Sequence, residues 1–414
     1  LGSRQPLRRN KPLRTPPCCL RHRRRQRTEI PSSFVRILPT SDPQFLADSD
    51  THRRWLSSFQ KSDRLGHFST NFMRSDRGLT CWGLFILGLH SSVASRLLEL
   101  IRRGHRASQL PAYQSVSTTL ELETALADTS VGRIVLSAGR YMLSAELRID
   151  RDVTIEAEEP GSAEFDGQGV VRVLYITGGI VALSGLNITG GYASSSHSGG
   201  PQGGGVRVDG GRVMFRTCRF YRNRVGAWGG AAFISRGHAT FEDCFMHEND
   251  APNGGGGAYI RDAQVIFRNC DINSNRATGG VGGGAYVLGG QVVFDGCRAH
   301  GNSAAGAGAL IVFGGSVSVD QCYIHGNTAD DGGALYINGG QVQITGSEIY
   351  NNAAASGAGL NIQGESRVVV STSNFYRNRA TSNGGAFYTS TRNGGTVDVS
   401  HSSVYDNTAN YVRP

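Results

Sequence analysis

Two carboxylates at equivalent positions of a repeat are the best candidates for chemistry in this sequence. Asp295 and Asp320 each stand two residues before a recurring cysteine. In consecutive coils of a stacked fold, they would lie near the carboxyl separation of a retaining glycosidase. The same position holds Arg216, Glu242 and Arg268 in earlier repeats, which favours a solvent-facing ladder of ion pairs. That structural interpretation is the stronger one, because no other catalytic group joins the two aspartates in register.

Aromatic and imidazole side chains recur three residues after the same cysteine position. That position is occupied in turn by Tyr221, His247, Asn273, His300, His325, Tyr350, Tyr376 and Tyr405, and Tyr323 stands two residues before His325. Aromatic rings flanked by hydrogen-bonding groups suit sugar rings or a partner surface, but ordinary stacking between neighbouring strands explains them equally well. His300 and His325 have no third ligand placed by the sequence, so we predict no metal and no cofactor.

Five cysteines occupy the repeated position itself. They are Cys218, Cys244, Cys270, Cys297 and Cys322, and serine continues the column at positions 347, 373 and 402. Neighbouring coils are close enough for disulfides, but the side chains would run parallel and the number is odd. The sequence therefore favours buried free thiols that fill the core.

An asparagine follows each of these cysteine or serine positions by five residues. The column contains Asn223, Asn249, Asn275, Asn302, Asn327, Asn352 and Asn378, and continues at Asn407 with spacings of 25 to 29 residues. A block of small residues that ends in an apolar one lies 15 residues before each of the first six asparagines. Two markers in fixed register indicate a repeat architecture. We expect the asparagines to form a hydrogen-bonded ladder and to adopt the left-handed turn conformation.

Short runs of alternating polar and apolar residues fill the intervals between these markers. Examples are Gln291 to Phe294 and Gln341 to Ile344, with Gly-Gly pairs between the runs. Three short strands with turns account for about 25 to 27 residues, which is one coil of a parallel β-solenoid. The sequence thus predicts an all-β, right-handed parallel β-helix over residues 116–414. A capping box at Thr118 and Glu121 predicts a short helix that covers the first coil.

The chain before the solenoid divides into three segments. Residues 1–72 are Arg-rich and lack apolar periodicity, so they are interpreted as a disordered segment or an untranslated gene-model extension. Residues 73–94 have the layout of a secretory signal peptide, too short to span a bilayer, and residues 95–115 form a linker. No transmembrane span is expected after signal removal. No terminal cap follows Tyr411, so the solenoid is expected to be truncated or to continue into a partner.

The charge of the chain is unevenly distributed. The sequence has 42 Lys plus Arg and 33 Asp plus Glu, a formal charge of +9. Residues 1–115 hold 21 basic and 7 acidic residues, which leaves 21 and 26 for the rest and a charge of −5. The solenoid is therefore not basic, and nucleic acid is excluded as its expected partner.

The repeat resembles that of a known family. An F-x-x-N unit at Phe220–Asn223 and Phe375–Asn378 alternates with G-G-A blocks such as those at Gly229 and Gly283. This pattern is similar to the repeat of chlamydial polymorphic outer membrane proteins, within the right-handed β-helix, pectin-lyase-like superfamily. The resemblance implies surface display or adhesion at an extracellular, cell-surface or outer-membrane-associated location. Enzymes of this superfamily act on polysaccharides.

Two hypotheses for function follow. The first is a secreted or cell-surface scaffold that binds a polysaccharide or a cell-surface protein along the aromatic positions. The alternative is a polysaccharide-active lyase, glycoside hydrolase or epimerase, with Asp295 and Asp320 as its candidate carboxylates. The sequence shows no evident catalytic constellation, which favours the scaffold.

Overall fold

A computed structural model describes residues 112–391 and 395–411 of the chain. The segments predicted as a disordered extension and a signal peptide, and most of the linker, lie outside the described residues. Three long parallel sheets, here called sheets A, B and C, run the length of the described chain. Sheet A has twelve strands, at Ala112–Val116, Val131–Leu136, Val153–Ala157, Ile180–Ser184, Arg212–Arg216, His238–Glu242, Ala263–Arg268, Gly290–Asp295, Ser316–Asp320, Gln341–Thr345, Arg367–Ser371 and Thr396–Ser400.

Sheets B and C contain the other two main strands of each coil. Sheet B consists of Gly139–Met142, Ala163–Asp166, Leu186–Thr189, Arg219–Tyr221, Phe245–His247, Asp271–Asn273, Arg298–His300, Tyr323–His325, Glu348–Tyr350, Asn374–Tyr376 and Ser403–Tyr405. Sheet C consists of Leu147–Ile149, Leu174–Ile176, Val206–Val208, Ala232–Ser235, Ala258–Arg261, Ala285–Val287, Leu310–Val312, Leu335–Ile337, Leu360–Gly364 and Phe387–Thr391. Shorter strands follow the asparagines in three small sheets, at Tyr192–Ala193 with Arg224–Val225, at Arg276–Ala277 with Ser303–Ala304, and at Ala353–Ser356, Arg379–Asn383 and Thr408–Tyr411.

Each coil passes through the sheets in the order C, A, B, and each strand pairs in parallel with its counterpart one coil away. The register follows the sequence repeat: Phe220 pairs with Met246, and Val265 pairs with Val292. Alternating residues point inward, and the inward positions of sheets A, B and C form one continuous apolar core. The predicted parallel β-helix with three strands per coil is confirmed.

Within the described residues, one α-helix, α1 (Thr119–Ala127), connects the first two strands of sheet A along the chain. The side chain of Thr118 accepts from the backbone N–H of Glu121, whose carboxylate accepts in return, so the predicted capping box is present. Leu122 and Ala125 are buried against the first coil, and Arg151 donates to the carbonyl oxygens at the end of the helix. The strand Ala112–Val116 precedes the helix and lies in the range interpreted as linker.

Columns of identical side chains fill the core. Phe215, Phe241, Phe267 and Phe294 stack with ring centroids 4.8 to 4.9 Å apart. The five cysteines form a second buried column and are free thiols, as the sequence favoured. Burial raises the pKa of the Cys218 thiol, which keeps it protonated and unreactive.

One position of the core is underpacked. Ala299 occupies a column that otherwise holds larger residues, including Met246, Ile272 and Ile324. A small apolar cavity opens beside it, lined also by Phe294 and Cys297. We expect Ala299→Val to raise the free energy of unfolding by about 0.5–1 kcal/mol, since two added methyl groups would fill space that is now empty. Urea denaturation of both proteins measures the change, and a lower midpoint for the variant would show that the cavity cannot accept them.

The asparagine ladder runs along one corner of the coil. All seven asparagines from Asn223 to Asn378 are buried. From Asn249 onward, each Oδ1 accepts both the backbone N–H and the side-chain N–H of the asparagine one coil before, as Asn302 does from Asn275 at 3.0 and 3.1 Å, whereas Asn223 accepts from the backbone N–H of Gly191. Each Nδ2 also donates to a carbonyl oxygen of a preceding coil, such as Ile272 for Asn302 at 2.8 Å. The predicted ladder therefore satisfies the polar atoms that the corner buries.

The expectation that these asparagines take the left-handed conformation is wrong. Positive φ falls on the residue before the asparagine, as at Arg222 (φ 53°), Glu248 (φ 56°) and Ser274 (φ 53°). That residue forms the outside of the corner and faces solvent, whereas the asparagine must point inward to reach the neighbouring coils. The glycine blocks are explained by close packing between coils. At Gly256, a Cβ would lie 2.4 Å from the carbonyl oxygen of Arg276 in the next coil.

Candidate functional site

The predicted aromatic positions form a ladder on the outer face of sheet B, which we call the sheet B strip. Its members are Tyr221, His247, Asn273, His300, His325, Tyr350, Tyr376 and Tyr405, paired coil by coil. The rings stack in two runs, from Tyr221 to His247 and from His300 to Tyr405, with centroids 4.8 to 5.3 Å apart. The stacking arises because in-register strands place identical positions one coil spacing apart.

Stacking determines which part of each ring is accessible. The planes lie within 16° of parallel, so each inner ring covers the faces of its neighbours. The inner side chains are half-buried, and because their faces are covered by each other, their exposed surface is at the ring edges. The strip therefore presents a row of hydrogen-bonding edges, rather than the open aromatic faces that the sequence suggested for sugar stacking.

Carboxylates beside the strip hold several of its rings. Tyr221 donates to Glu164, Tyr376 donates to Glu348 at 3.0 Å, and His300 Nε2 lies 3.1 Å from Asp271. Burial, and then the hydrogen bond to its carboxylate, raises the pKa of Tyr376 to about 12. These contacts fix ring orientation and keep the phenols protonated as donors.

Two histidines stack directly in the middle of the strip. The rings of His300 and His325 are 5.0 Å apart and within 1° of parallel. Burial, and then the neighbouring His300, lowers the pKa of His325. Its imidazole is therefore neutral at physiological pH and can accept or donate a hydrogen bond at its edge.

The strand position two residues before the strip adds exposed apolar surface. Tyr323 and Phe245 have 46% and 42% of their surface exposed. The guanidinium of Arg219 lies 5.6 Å from the Phe245 ring centroid, a cation–π contact between neighbouring coils. Tyr323, predicted as part of the ligand face, thus stands beside the strip and is more open to solvent than its inner rings.

The candidate carboxylates lie on a different face of the solenoid. Asp295 and Asp320 are paired in register on the outer face of sheet A. Asp295 forms an ion pair with Arg268 at 3.3 Å, and Arg216 pairs with Glu242 at 2.8 Å, as expected for an ion-pair ladder. Within the described residues, no histidine or tyrosine is hydrogen-bonded to either aspartate. The structure does not bring the two aspartates together with the sheet B strip.

A charged cleft at one end of the strip was not anticipated. It is lined by Arg140, Glu164, Asp166 and Tyr221, among others. The guanidinium of Arg140 bridges both carboxylates, and Asp166 also accepts from the backbone N–H of Gln168. Both carboxylates are thus engaged by the same guanidinium, and Glu164 also accepts from Tyr221, which is the arrangement of a structural ion-pair network. The alternation Glu164-x-Asp166 was visible in the sequence, but its coil precedes the regular repeat.

Sheet C carries a second aromatic column that sequence reasoning missed. The rings of Phe233, Tyr259, Tyr286 and Phe313 stack outside the main core, with centroids 4.7 to 5.4 Å apart. Phe233, Tyr259, Tyr286 and their register partner Ile311 are almost fully covered, whereas Phe313, two residues after Ile311, is partly buried. In the sequence, each of these register partners lies between the two inward-pointing residues that follow a glycine block. This column is a satellite core that attaches the loops, rather than an open surface.

A buried arginine was also missed. Arg172 is fully buried and pairs with Glu146 at 2.6 Å. Its other donors bind carbonyl oxygens of the loop 194–203, at Ser198, Gly200 and Gly203. The loop is long and rich in glycine and serine, and this arginine fixes it against the solenoid.

Residues 112–391 and 395–411 contain no cluster of three or more histidines, cysteines or carboxylates able to bind a metal. In the same part of the chain, no helix has the length and apolarity needed to cross a membrane.

The fold and its stacked columns define a class of protein. The family model described as a right-handed β-helix region matches residues 200–309 and 278–412, which together cover just over half of the chain. The chain therefore belongs to the right-handed β-helix family. Among solved structures, PfbA, described as a surface adhesin of Streptococcus pneumoniae, is similar with a TM-score of 0.34 and 9% identity, over 71% of this chain and 88% of that chain. A search of curated proteins finds no match.

Proposed function

We propose that this protein is a secreted or cell-surface scaffold that binds an extended polysaccharide along the sheet B strip. The observation that supports this most directly is the row of half-buried rings whose polar edges recur once per coil, from His300 to Tyr405. A rigid solenoid holds these edges without loss of side-chain entropy on binding, because neighbouring rings already fix each rotamer.

The spacing of the strip favours a chain of sugars over a peptide. The ring centroids are 4.8 to 5.2 Å apart from His300 to Tyr405. An extended chain of 1,4-linked pyranose rings advances by nearly the same length per sugar, whereas an extended peptide advances by about 3.3 Å per residue. A polysaccharide lying parallel to the solenoid axis could therefore place one sugar on each coil and hydrogen-bond to each ring edge.

Adhesion and a surface location belong to the same proposal. The F-x-x-N and G-G-A pattern resembles the repeats of polymorphic outer membrane proteins, and this finer relationship stays a prediction. A cell-surface protein remains the second candidate ligand for the strip. The enzymatic alternative, with Asp295 and Asp320 as carboxylates, rests on their shared register alone.

We expect Tyr350→Ala to weaken polysaccharide binding about tenfold, a loss of about 1.4 kcal/mol, because the variant removes a hydroxyl edge from the longer run of the strip. A glycan array first selects the polysaccharide, and calorimetry with its oligosaccharides then measures affinity. Affinity should rise with each added sugar up to about five, the number of stacked rings from His300 to Tyr405.

Two controls separate this proposal from its alternatives. Tyr113 is exposed on sheet A, so Tyr113→Ala should bind like the parent protein. Tyr350→Phe should bind like Tyr350→Ala if the hydroxyl edge is what contacts the sugar. Equal binding by the parent and Tyr350→Ala would reject the strip as the binding surface. Release of new reducing ends or unsaturated products, abolished by Asp320→Asn, would support the enzyme instead.

A further inference from the structure

The outer face of sheet A presents three parallel columns of side chains and is separate from the strip. The central column contains Met214, Thr240, Ile266 and Val293 in consecutive coils. Met214 has 39% of its surface exposed, and the other three are partly exposed. Three of these four residues are apolar, which is the composition expected at the centre of an interface.

A column of alternating charge lies beside this apolar column. Its members in consecutive coils are Arg216, Glu242, Arg268 and Asp295. Neighbours pair within the chain, Arg216 with Glu242 and Arg268 with Asp295, yet both arginine side chains are about half exposed. The order of charges is plus, minus, plus, minus. Read in the opposite direction it becomes minus, plus, minus, plus, so the column is complementary to a reversed copy of itself.

We propose that sheet A is an interface through which two copies of this chain pack face to face and antiparallel. A two-fold axis between the coils of Glu242 and Arg268 places Glu242 opposite the partner's Arg268 and Arg216 opposite the partner's Asp295. The same axis places Met214 opposite the partner's Val293 in the apolar column. An isologous interface of this kind requires a self-complementary surface, and the charge order supplies one.

The size of the face is sufficient for a stable dimer. Six of the twelve strands of sheet A lie on each side of the proposed axis, so the two faces overlap completely. Twelve strands about 4.8 Å apart and five residues wide give roughly 800 Å² per partner, the area of a standard interface. Across the whole overlap, no two like charges stand directly opposite each other in the described strands.

The charges also select one register. A shift by one coil toward the N-terminus of sheet A places Arg216 opposite the partner's Arg268 and Glu242 opposite the partner's Glu242. A shift by one coil in the other direction places Arg268 opposite the partner's Arg268. Like charges directly opposite each other disfavour both arrangements, so the antiparallel pairing centred between Glu242 and Arg268 is the favoured one.

A four-charge reversal tests this arrangement with the full chain. The variant Arg216→Glu, Glu242→Arg, Arg268→Glu, Asp295→Arg keeps both ion pairs within the chain, so the fold is preserved. It also keeps self-complementarity, so both proteins should form dimers in sedimentation velocity at low salt, and added salt should weaken both. In a mixture in which one protein carries a fluorophore at its amino terminus, mixed dimers should be weaker than the parent dimer. The centred register would oppose like charges, and a shift by one coil keeps only three of the four complementary pairs across the interface.

A second variant tests the apolar column. Val293→Asp places a carboxylate in the centre of the interface and should remove dimers, while circular dichroism and thermal unfolding report that the chain still folds. Phe245→Asp, on the exposed face of sheet B, is the matched control and should leave the dimer intact. A parent protein that stays monomeric at low salt and high concentration overturns the proposal. Mixed dimers that form as readily as the parent dimer overturn the antiparallel arrangement.

Discussion

Replacing Asn302 by alanine is expected to lower the free energy of unfolding by about 3–5 kcal/mol. The change leaves the buried backbone N–H of Asn275 without its acceptor, at present 3.0 Å away, and removes the donor to the carbonyl oxygen of Ile272. Each buried polar group left without a partner costs about 1–3 kcal/mol. Asn302 lies in the middle of the ladder, so the coils on both sides lose contacts.

Urea denaturation followed by circular dichroism measures this effect. The shift in the urea midpoint is converted to a free-energy difference with the same m-value for both proteins. Asn273→Ala is the matched control, because that asparagine lies on the outer face and donates only to Asp271. We expect the control to change stability by less than about 0.5 kcal/mol. Similar losses in the two variants would mean that the ladder contributes no more than an ordinary surface contact.

The repeat made most of the solenoid predictable. Positions such as Cys270 and Asn275 recur at nearly constant intervals, so one coil predicts the inward and outward positions of the next. The free thiols, the asparagine ladder and the capping box follow from local rules that act within one or two coils. The ion pairs of Arg216 and Arg268 were predictable for the same reason, since stacked strands place the same position at one coil spacing.

Features outside the regular repeat could not be predicted in this way. Arg172 lies in an irregular coil, and its partners in the loop 194–203 are backbone oxygens that carry no sequence signal. The left-handed corner was assigned to the asparagine instead of the preceding residue, because propensity alone favours asparagine there. The ladder overrides that preference, because the asparagine side chain must point inward to reach the neighbouring coils.

Stacking also changed the interpretation of the candidate site. The sequence places rings at Tyr350 and Tyr376 but does not say whether their faces or edges meet solvent. With planes 1° from parallel and centroids 4.8 Å apart, the facing surfaces are covered by each other. The binding chemistry available to a ligand is therefore hydrogen bonding along the edges, which is why the hydroxyl of Tyr350 is the atom to remove.

Replacing Arg172 by alanine is the second change with a large expected effect, a loss of about 3–5 kcal/mol in the free energy of unfolding. Its side chain is fully buried, and burial lowers its pKa, an effect that the nearby Glu146 opposes. Removal of this guanidinium leaves Glu146, only 10% exposed, with a single partner, Arg148. It also removes the donors to the carbonyl oxygens of Ser198 and Gly200.

Arg148→Ala is the matched control, because Arg148 contacts the same carboxylate and the same loop but its side chain is 60% exposed. We expect a loss below about 1 kcal/mol for this control. Limited digestion with a broad-specificity protease separates two roles for Arg172, since the loop 194–203 should be cut in Arg172→Ala before the solenoid unfolds. A large loss of stability without faster cleavage of the loop would show that the guanidinium stabilises the coil itself and does not hold the loop.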